Sequence, residues 1–206
     1  MNDILGAEAQ IPYRGYSEIE WEAKTFLENN WNNGFPIEVD EICDRLNIGV
    51  IYIPNLKKQF SLDAYTTSDF KSIVVDEGIL SDDERYRLCI AHELGHMTLH
   101  KDYYPSNIHD LETYLKYANG FICGPAESQA DIFALALLIP DYELKKQLIR
   151  KFGKNIEFRI RELTLSRTTE KFIEIANYFG VSNTILRKRV EHVFPDIILA
   201  IKSRRS

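Results

Sequence analysis

Residues 91–96 read Ala-His-Glu-Leu-Gly-His, and this hexapeptide constrains the structure of the chain more than any other segment. On a helix, His92 and His96 lie on the same face, one turn apart. Two imidazoles at that spacing can bind one tetrahedral Zn²⁺ ion. Glu93 follows the first histidine, so its carboxylate can reach water at such an ion without being a ligand. The hexapeptide therefore predicts a helix that carries two zinc ligands and a general base.

A second motif, Glu-Ser-Gln-Ala-Asp at residues 127–131, precedes an apolar run at residues 132–139. Carboxylates on a helix that becomes buried are unfavourable unless they are paired or bind a metal. We predict Glu127 as the third ligand and Asp131 as the acceptor of the outer N–H of a ligand imidazole, whose tautomer it fixes. The alternative is an acidic pair without a metal, which the helix dipole favours near a helix N-terminus.

The metzincins are another class of zinc peptidase with two histidines at this spacing. They require a glycine three residues after the second histidine, a further ligand, and a methionine turn downstream. Asp102 has the spacing of the further ligand, but the glycine position is Leu99, and the only methionines are Met1 and Met97. The metzincin class is therefore not predicted.

Four segments of the chain, in this order, resemble the ImmA/IrrE family of metallo-endopeptidases, which have the gluzincin pattern His-Glu-x-x-His followed by Glu-x-x-Ala/Ser-Asp. The segments are PIEVDEICDRLNIGVIYIP at residues 36–54, RYRLCIAHELGHMTLH at 85–100, ESQADIFALALLIP at 127–140 and YFGVSNTILRKRV at 178–190. The resemblance implies a zinc endopeptidase with His92, His96 and Glu127 as ligands. Glu93 is the general base in this pattern.

The same resemblance indicates a substrate. Family members of this kind are typically encoded by phages, mobile elements, stress-response loci or defence loci, and they cleave a helix-turn-helix transcriptional repressor. We therefore expect a protein partner of this kind. Two departures from the family pattern are Gln129, where many relatives have a second acid, and a long segment at residues 101–125, which bears on substrate access.

Hydrophobic periodicity and turn signals predict an α+β fold, with a small N-terminal antiparallel-type sheet, a zincin-like active-site helix and a helical C-terminal region. The predicted strands are residues 49–53 and a hairpin of residues 63–67 and 71–75. The predicted helices are one from a capping box at Ser17, a short one near residues 39–46, one from a capping box at Ser81 to Leu99, and those at residues 126–139, 142–152, 168–179 and 182–192. We expect a metallopeptidase core at residues 1–141 and a basic helical subdomain at residues 142–206 that can be continuous with the core.

Composition and charge exclude several classes of protein. No apolar run reaches the roughly 18 residues of a membrane span, and the first ten residues lack the pattern of a secretion signal. Three widely spaced cysteines argue against a disulfide framework, so we expect a cytoplasmic protein without a membrane partner. The net charge of −6 combines −14 through residue 141 with +8 from residue 142 onward. The two oppositely charged regions either attract each other, or the basic C-terminal region faces a polyanion or another partner.

Some further residues are candidates for the site. His100 lies about 12 Å along the helix axis from His92, so we predict a structural role for it rather than metal ligation. Cys123 can be a latent fourth ligand, or it can be a small buried apolar side chain. The resemblance to the ImmA/IrrE family also implies that residues 72–75 accept an extended substrate at a sheet edge. Peptide cleavage also requires a donor to the developing oxyanion, for which the candidates are Tyr103, Tyr104, Tyr114, Tyr117 and His192.

The C-terminal region supports two other functional hypotheses. Residues 176–189 have the outline of a helix-turn-helix, which suits sequence-specific DNA binding. The basic tail with Lys202, Arg204 and Arg205 predicts non-specific contact with nucleic acid. One alternative is therefore a non-catalytic zinc-containing regulator that binds DNA or protein through its C-terminal helices. Its zinc would have four protein ligands, whereas a catalytic site leaves one position open. The other alternative is the protease toxin of a toxin–antitoxin pair, which differs only in its substrate.

Overall fold

The computed structural model describes residues 11–103, 124–153 and 170–195 of the chain. The N-terminal elements are α1 (Tyr16–Asn30), α2 (Val39–Arg45), β1 (Gly49–Ile53), α3 (Leu56–Phe60), β2 (Ala64–Thr66) and β3 (Ser72–Asp76). A 3₁₀ turn at Glu77–Ile79 leads into the long helix α4 (Asp83–Leu99), and a second 3₁₀ turn follows at Lys101–Tyr103. The later helices are α5 (Pro125–Leu138), α6 (Asp141–Phe152), α7 (Glu170–Phe179) and α8 (Asn183–Val193). The predicted α+β fold class is confirmed.

Among the described residues, the sheet has three strands in the order β1-β3-β2. β2 and β3 form the predicted antiparallel hairpin, with Tyr65 opposite Val74. β1 pairs in parallel with β3, with Ile51 opposite Val74, so the sheet is mixed and its antiparallel part is the hairpin. Because β3 is the central strand, the prediction that residues 72–75 accept a substrate at a sheet edge is wrong. β2 is the outer strand on the side of α4.

Two helices begin at residues other than those that the capping signals indicate. Asp82 rather than Ser81 is the N-cap of α4, and its side chain accepts a hydrogen bond from the backbone N–H of Arg85 at 3.1 Å. Gly15 is the N-cap residue of α1, so Ser17 lies inside the helix and the capping box predicted there is wrong. The carboxylate of Asp82 also interacts favourably with the dipole of α4.

α4 packs closely against α5 at Gly95. A Cβ atom at this position would lie 3.2 Å from the Cα and carbonyl oxygen of Ala130 and from the Cβ of Phe133. These distances are shorter than ordinary van der Waals contacts, so a larger residue would force the two helices apart. The absence of a side chain at Gly95 therefore allows the first turn of α5 to lie beside the two motif histidines of α4.

One hydrophobic core connects the two regions on either side of the predicted boundary at residue 141. Its members include Ile19, Ile90, Leu137, Leu148, Phe179 and Val190. The division of the chain into residues 1–141 and 142–206 stays a prediction. Among the described residues, no helix combines the length and the apolarity that crossing a membrane requires.

One of the basic residues at the end of the helix-turn-helix segment faces the protein interior. Arg189 of α8 is fully buried, and its Nε donates to the carbonyl oxygen of Ile139 at 2.8 Å. Its guanidinium also pairs with the carboxylate of Glu20 on α1. The preceding Lys188 lies with its Nζ 3.3 Å from Oδ2 of Asp131 on α5. These contacts attach α8 to α1 and α5, and burial removes Arg189 from any contact with nucleic acid.

Candidate metal centre

Three side chains from α4 and α5 converge on one point. The Nε2 atoms of His92 and His96 are 3.0 Å apart, and the two carboxylate oxygens of Glu127 lie 3.2 Å and 3.3 Å from these nitrogens. Ligands placed 2.0–2.1 Å from zinc at the corners of a tetrahedron are separated by about 3.3 Å. The nitrogen–nitrogen separation and the separation of each nitrogen from its nearest carboxylate oxygen are close to that value, and one ligand atom from each of the three residues lies within 4.8 Å of the others. Within the described ranges, these three residues are the group of His, Cys, Asp and Glu side chains that could hold an ion.

The chemistry of the three groups also fits a zinc ion. Two imidazole nitrogens and one glutamate oxygen form a known catalytic donor set for zinc. Two ring nitrogens that face each other at 3.0 Å repel if both present lone pairs, and a cation between them removes that repulsion. The carboxylate of Glu127 adds a negative charge that favours the cation. The three side chains therefore fit the ion that the hexapeptide predicts.

A charged pair near the surface positions His92. Its Nδ1–H donates to Oδ1 of Asp131 at 3.1 Å, and Lys188 contacts the other oxygen of the same carboxylate. Burial alone lowers the pKa of His92, but the hydrogen bonds to Asp131 and Glu127 outweigh burial and raise the pKa to about 10. The hydrogen bond from His92 holds the pKa of Asp131 below its usual value. Asp131 thus lies at the outer nitrogen of a candidate ligand, where the sequence predicts it.

Neutral groups in the interior position His96. Its Nδ1 lies 3.0 Å from Nδ1 of His100, and Nε2 of His100 lies 3.1 Å from Oε1 of Gln129. Gln129 also donates from its Nε2 to the carbonyl oxygen of Pro12 at 3.0 Å. Burial lowers the pKa of His100 to about 4. The structure therefore places His100 behind His96 and not among the converging ligand atoms.

Glu93 lies beside the ligand cluster, and a residue of the sheet holds its carboxylate in place. Oγ1 of Thr66, the last residue of β2, donates to Oε2 of Glu93 at 2.8 Å. Both side chains are buried, with Thr66 fully inaccessible to solvent. The sequence analysis missed Thr66, because nothing in a three-residue strand shows which helix it faces. The hydrogen bond restricts the orientation of the carboxylate beside the ligand cluster.

A cleft of about 280 Å³ opens onto the ligand cluster between the start of β2 and the helices α4 and α5. Leu62, Leu88 and Cys89 form much of its apolar lining. Burial, reinforced by the nearby carboxylate of Asp63, raises the pKa of Cys89 to about 12. The thiol therefore stays protonated near neutral pH and is neither a good ligand nor a good nucleophile.

The predicted oxyanion donors and the predicted latch are mostly beyond the described ranges. Tyr103 and His192 are described, and neither lines the cleft. His192 packs edge-on against Tyr16, with ring centroids 5.3 Å apart. The candidates that lie outside the described residues are Tyr104, Tyr114, Tyr117 and Cys123.

Comparison with models of known protein families matches residues 43–191 to the peptidase M78 family, described as the IrrE N-terminal-like domain. The match covers well over half of the chain and includes both the hexapeptide and the acidic motif of α5. No curated protein matches the sequence. The family match confirms the ImmA/IrrE resemblance, and the convergence of His92, His96 and Glu127 agrees with it. The chain therefore belongs to the peptidase M78 family of metallopeptidases.

Proposed function

We propose that this protein is a zinc-dependent endopeptidase that cleaves a protein partner. The observation that carries the proposal is the convergence of His92, His96 and Glu127, whose candidate ligand atoms, one from each residue, all lie within 4.8 Å of one another. A buried glutamate, Glu93, lies in the cleft beside them. Membership of a metallopeptidase family gives independent support.

Glu93 is the general base of the proposed reaction. Bound by the three ligands, a zinc ion would polarise a peptide carbonyl and lower the pKa of water to about 7. Glu93 takes a proton from the attacking water and returns it to the amine of the departing peptide. The hydrogen bond from Thr66 holds one oxygen of the Glu93 carboxylate, so the group that moves the proton keeps a fixed orientation.

The substrate is proposed to bind as an extended strand along the outer edge of β2. Within the described residues, β2 pairs on one side only, with β3, and its first residue, Ala64, lines the cleft. Backbone groups on such an edge bind an extended peptide through main-chain hydrogen bonds. The apolar lining from Leu62, Leu88 and Cys89 favours an apolar side chain next to the cleaved bond.

The number of ligands favours an enzyme over a structural zinc regulator. A structural zinc site is closed by four protein ligands, whereas a catalytic site has three and an open position. The described part of the chain supplies three. Cys123 lies outside the described residues and does not enter this count.

The proposed partner is a helix-turn-helix transcriptional repressor, and the proposed location is the cytoplasm. The resemblance to the ImmA/IrrE family supports the first, and the cysteine content supports the second. Cleavage of such a repressor activates the genes that it silences in a phage, mobile-element, stress or defence circuit. The basic tail residues Lys202, Arg204 and Arg205 lie outside the described residues and are proposed to make non-specific contact with nucleic acid.

The test of the chemistry compares the wild-type protein with Glu93→Gln and Glu84→Gln. Glu84 is exposed in the first turn of α4, so its variant controls for the loss of a carboxylate from the same helix. We expect stoichiometric zinc in all three proteins. The wild-type protein and Glu84→Gln should generate new N-termini in a proteome-derived peptide library. Glu93→Gln should generate them at a rate lower by at least about 10²-fold. A metal-free wild-type protein, or full turnover by Glu93→Gln, would contradict the proposal.

The partner is tested by co-expression with a small helix-turn-helix protein encoded by a neighbouring gene. We expect the repressor to be cut by the wild-type protein and to remain intact with Glu93→Gln. If the repressor stays intact with both, the proposed partner is wrong, while the result from the peptide library still decides the chemistry.

A further inference from the structure

A buried polar cluster lies behind His96, on the side away from the other ligand atoms. His100, the residue after α4, is fully buried, and Gln129 of α5 is 3% exposed. With Pro12, which precedes α1, they form a continuous chain of contacts that ends at Nδ1 of His96. Three separate segments of the protein thus meet behind one candidate zinc ligand.

The donor and acceptor in each hydrogen bond of this chain can be assigned by starting at Pro12. Its carbonyl oxygen can only accept, so the atom of Gln129 that faces it must be the amide nitrogen. The amide oxygen of Gln129 therefore faces Nε2 of His100 at 3.1 Å. Because that oxygen can only accept, Nε2 of His100 must carry a hydrogen.

The same reasoning then assigns the ring nitrogens of His100 and of His96. A neutral histidine carries a hydrogen on one ring nitrogen only, so Nδ1 of His100 presents a lone pair. His100 is fully buried, and the two groups that face its ring nitrogens, the amide of Gln129 and the ring of His96, carry no negative charge that would favour an imidazolium. The facing atom, Nδ1 of His96 at 3.0 Å, must then donate, and Nε2 of His96 is left with its lone pair toward His92 and Glu127.

We infer that the chain Pro12–Gln129–His100 fixes His96 in the tautomer that presents a bare Nε2 to the metal. This inference rests on the proposed zinc site and adds two positioning residues to it, His100 and Gln129. In the other tautomer, Nε2 of His96 would carry a hydrogen and could not be a ligand. Outer partners of metal-bound histidines typically change metal affinity or activity by about 10–100-fold when they are removed.

The first experiment measures zinc affinity by competition with a chelator. Gln129→Met removes the acceptor for His100 and should weaken zinc binding by about 10–100-fold. Gln129→Glu keeps an acceptor oxygen for Nε2 of His100, so it should retain more zinc affinity than Gln129→Met, while the buried carboxylate, which also loses the hydrogen bond to Pro12, should lower the free energy of unfolding. The matched control is Gln147→Met, because Gln147 is an equally buried glutamine (4% exposed) that donates to Glu143 instead. Equal losses in Gln129→Met and Gln147→Met would overturn the inference.

The second experiment reads the tautomer directly in the metal-free protein. Long-range ¹H–¹⁵N correlation spectra of histidine-labelled protein distinguish a ring nitrogen that carries hydrogen from one that does not. We expect His96 to carry its hydrogen on Nδ1 in the wild type, and to become a mixture of tautomers in His100→Leu. A wild-type spectrum with the hydrogen on Nε2 of His96 would overturn the inference even if every variant failed to fold. Neither experiment uses peptidase activity, so failure of the proposed enzyme function gives a different pattern of results.

Discussion

The two candidate ligand histidines lie one turn apart on the same helix, but opposite kinds of chemistry position them. His92 donates to Asp131, whose side chain is 53% exposed and pairs with Lys188. His96 faces the fully buried His100 and, behind it, Gln129. A carboxylate suits the His92 side because water solvates it, whereas an ion on the His96 side would lose several kcal/mol of solvation. Burial therefore decides which kind of partner each histidine has.

The largest effect on the metal site is expected from Gly95→Val, because both sides of the site depend on the spacing between α4 and α5. A side chain here would collide with Ala130 and Phe133 and would move Glu127 away from the histidines. We expect the loss of stoichiometric zinc and a decrease of about 1–3 kcal/mol in the free energy of unfolding. Metal analysis and urea denaturation measure the two effects.

The control for this change is Gly15→Val, since a Cβ atom at Gly15 meets no atom within 4 Å. That variant should retain zinc. If Gly95→Val also retained zinc, the close approach of the helices would not be what brings the ligands together.

The same contrast between buried and exposed charge recurs in two adjacent residues of α8. Lys188 is exposed, whereas Arg189 is fully buried and pairs with Glu20. Arg189→Met leaves the carboxylate of Glu20 without its cation, so we expect a loss of about 3–5 kcal/mol in urea denaturation. The double variant Arg189→Met/Glu20→Met should recover much of this loss, because an apolar pair leaves no buried ion. A single variant that loses less than about 1 kcal/mol would show that the buried pair is not needed for stability.

The sequence predicts the ligand set because the relevant spacing is local. His92 and His96 share a helix face by helix geometry alone, and Glu127 is conspicuous as an acid before an apolar run. The hairpin is also local, whereas the strand order is not, since β1 pairs in parallel with a strand about twenty residues later. The edge prediction for residues 72–75 failed for this reason.

The partners of the site residues could not be predicted, because they depend on which faces of distant elements meet. Thr66 reaches Glu93 from a strand 27 positions earlier in the chain. Gln129 reaches His100 across a helix–helix interface, and Arg189 reads in the sequence as part of an exposed basic cluster. In each case the residue type is ordinary, and only tertiary packing gives it a role.

The two sides of the site should respond oppositely to pH in the metal-free protein. Burial lowers the pKa of His100 from 6.5 to about 4, so its contribution to stability is present above pH 6.5 and is lost as the pH falls toward 4. The carboxylates around His92 overcome burial and raise its pKa to about 10, so its contribution is present below pH 6.5 and is lost as the pH rises through 10. The acid loss from His100 is at most about 3 kcal/mol.

Urea denaturation across the pH range, with wild type, His100→Leu and His92→Gln, tests this opposition. His100→Leu should flatten the slope between pH 4 and 6.5, and His92→Gln should flatten the slope between pH 6.5 and 10. If one substitution flattened both slopes, the two histidines would titrate as one unit and the contrast between their surroundings would be wrong.

The smallest effect is expected from Lys188→Met, which removes the outermost member of the charged side. Its side chain is 48% exposed and its Nζ lies 3.3 Å from Asp131, so water and salt screen the interaction. We expect less than about 1 kcal/mol of change in stability, with a smaller loss of zinc affinity than in Gln129→Met.

Any difference between Lys188→Met and the wild type should also disappear as the salt concentration rises. The effect of Gln129→Met should not disappear, because the interior chain is neutral and inaccessible to ions. Chelator competition at low and high salt measures both variants. A loss for Lys188→Met as large as that for Gln129→Met, or one that persists in high salt, would mean that the surface pair holds His92 as tightly as the buried chain holds His96.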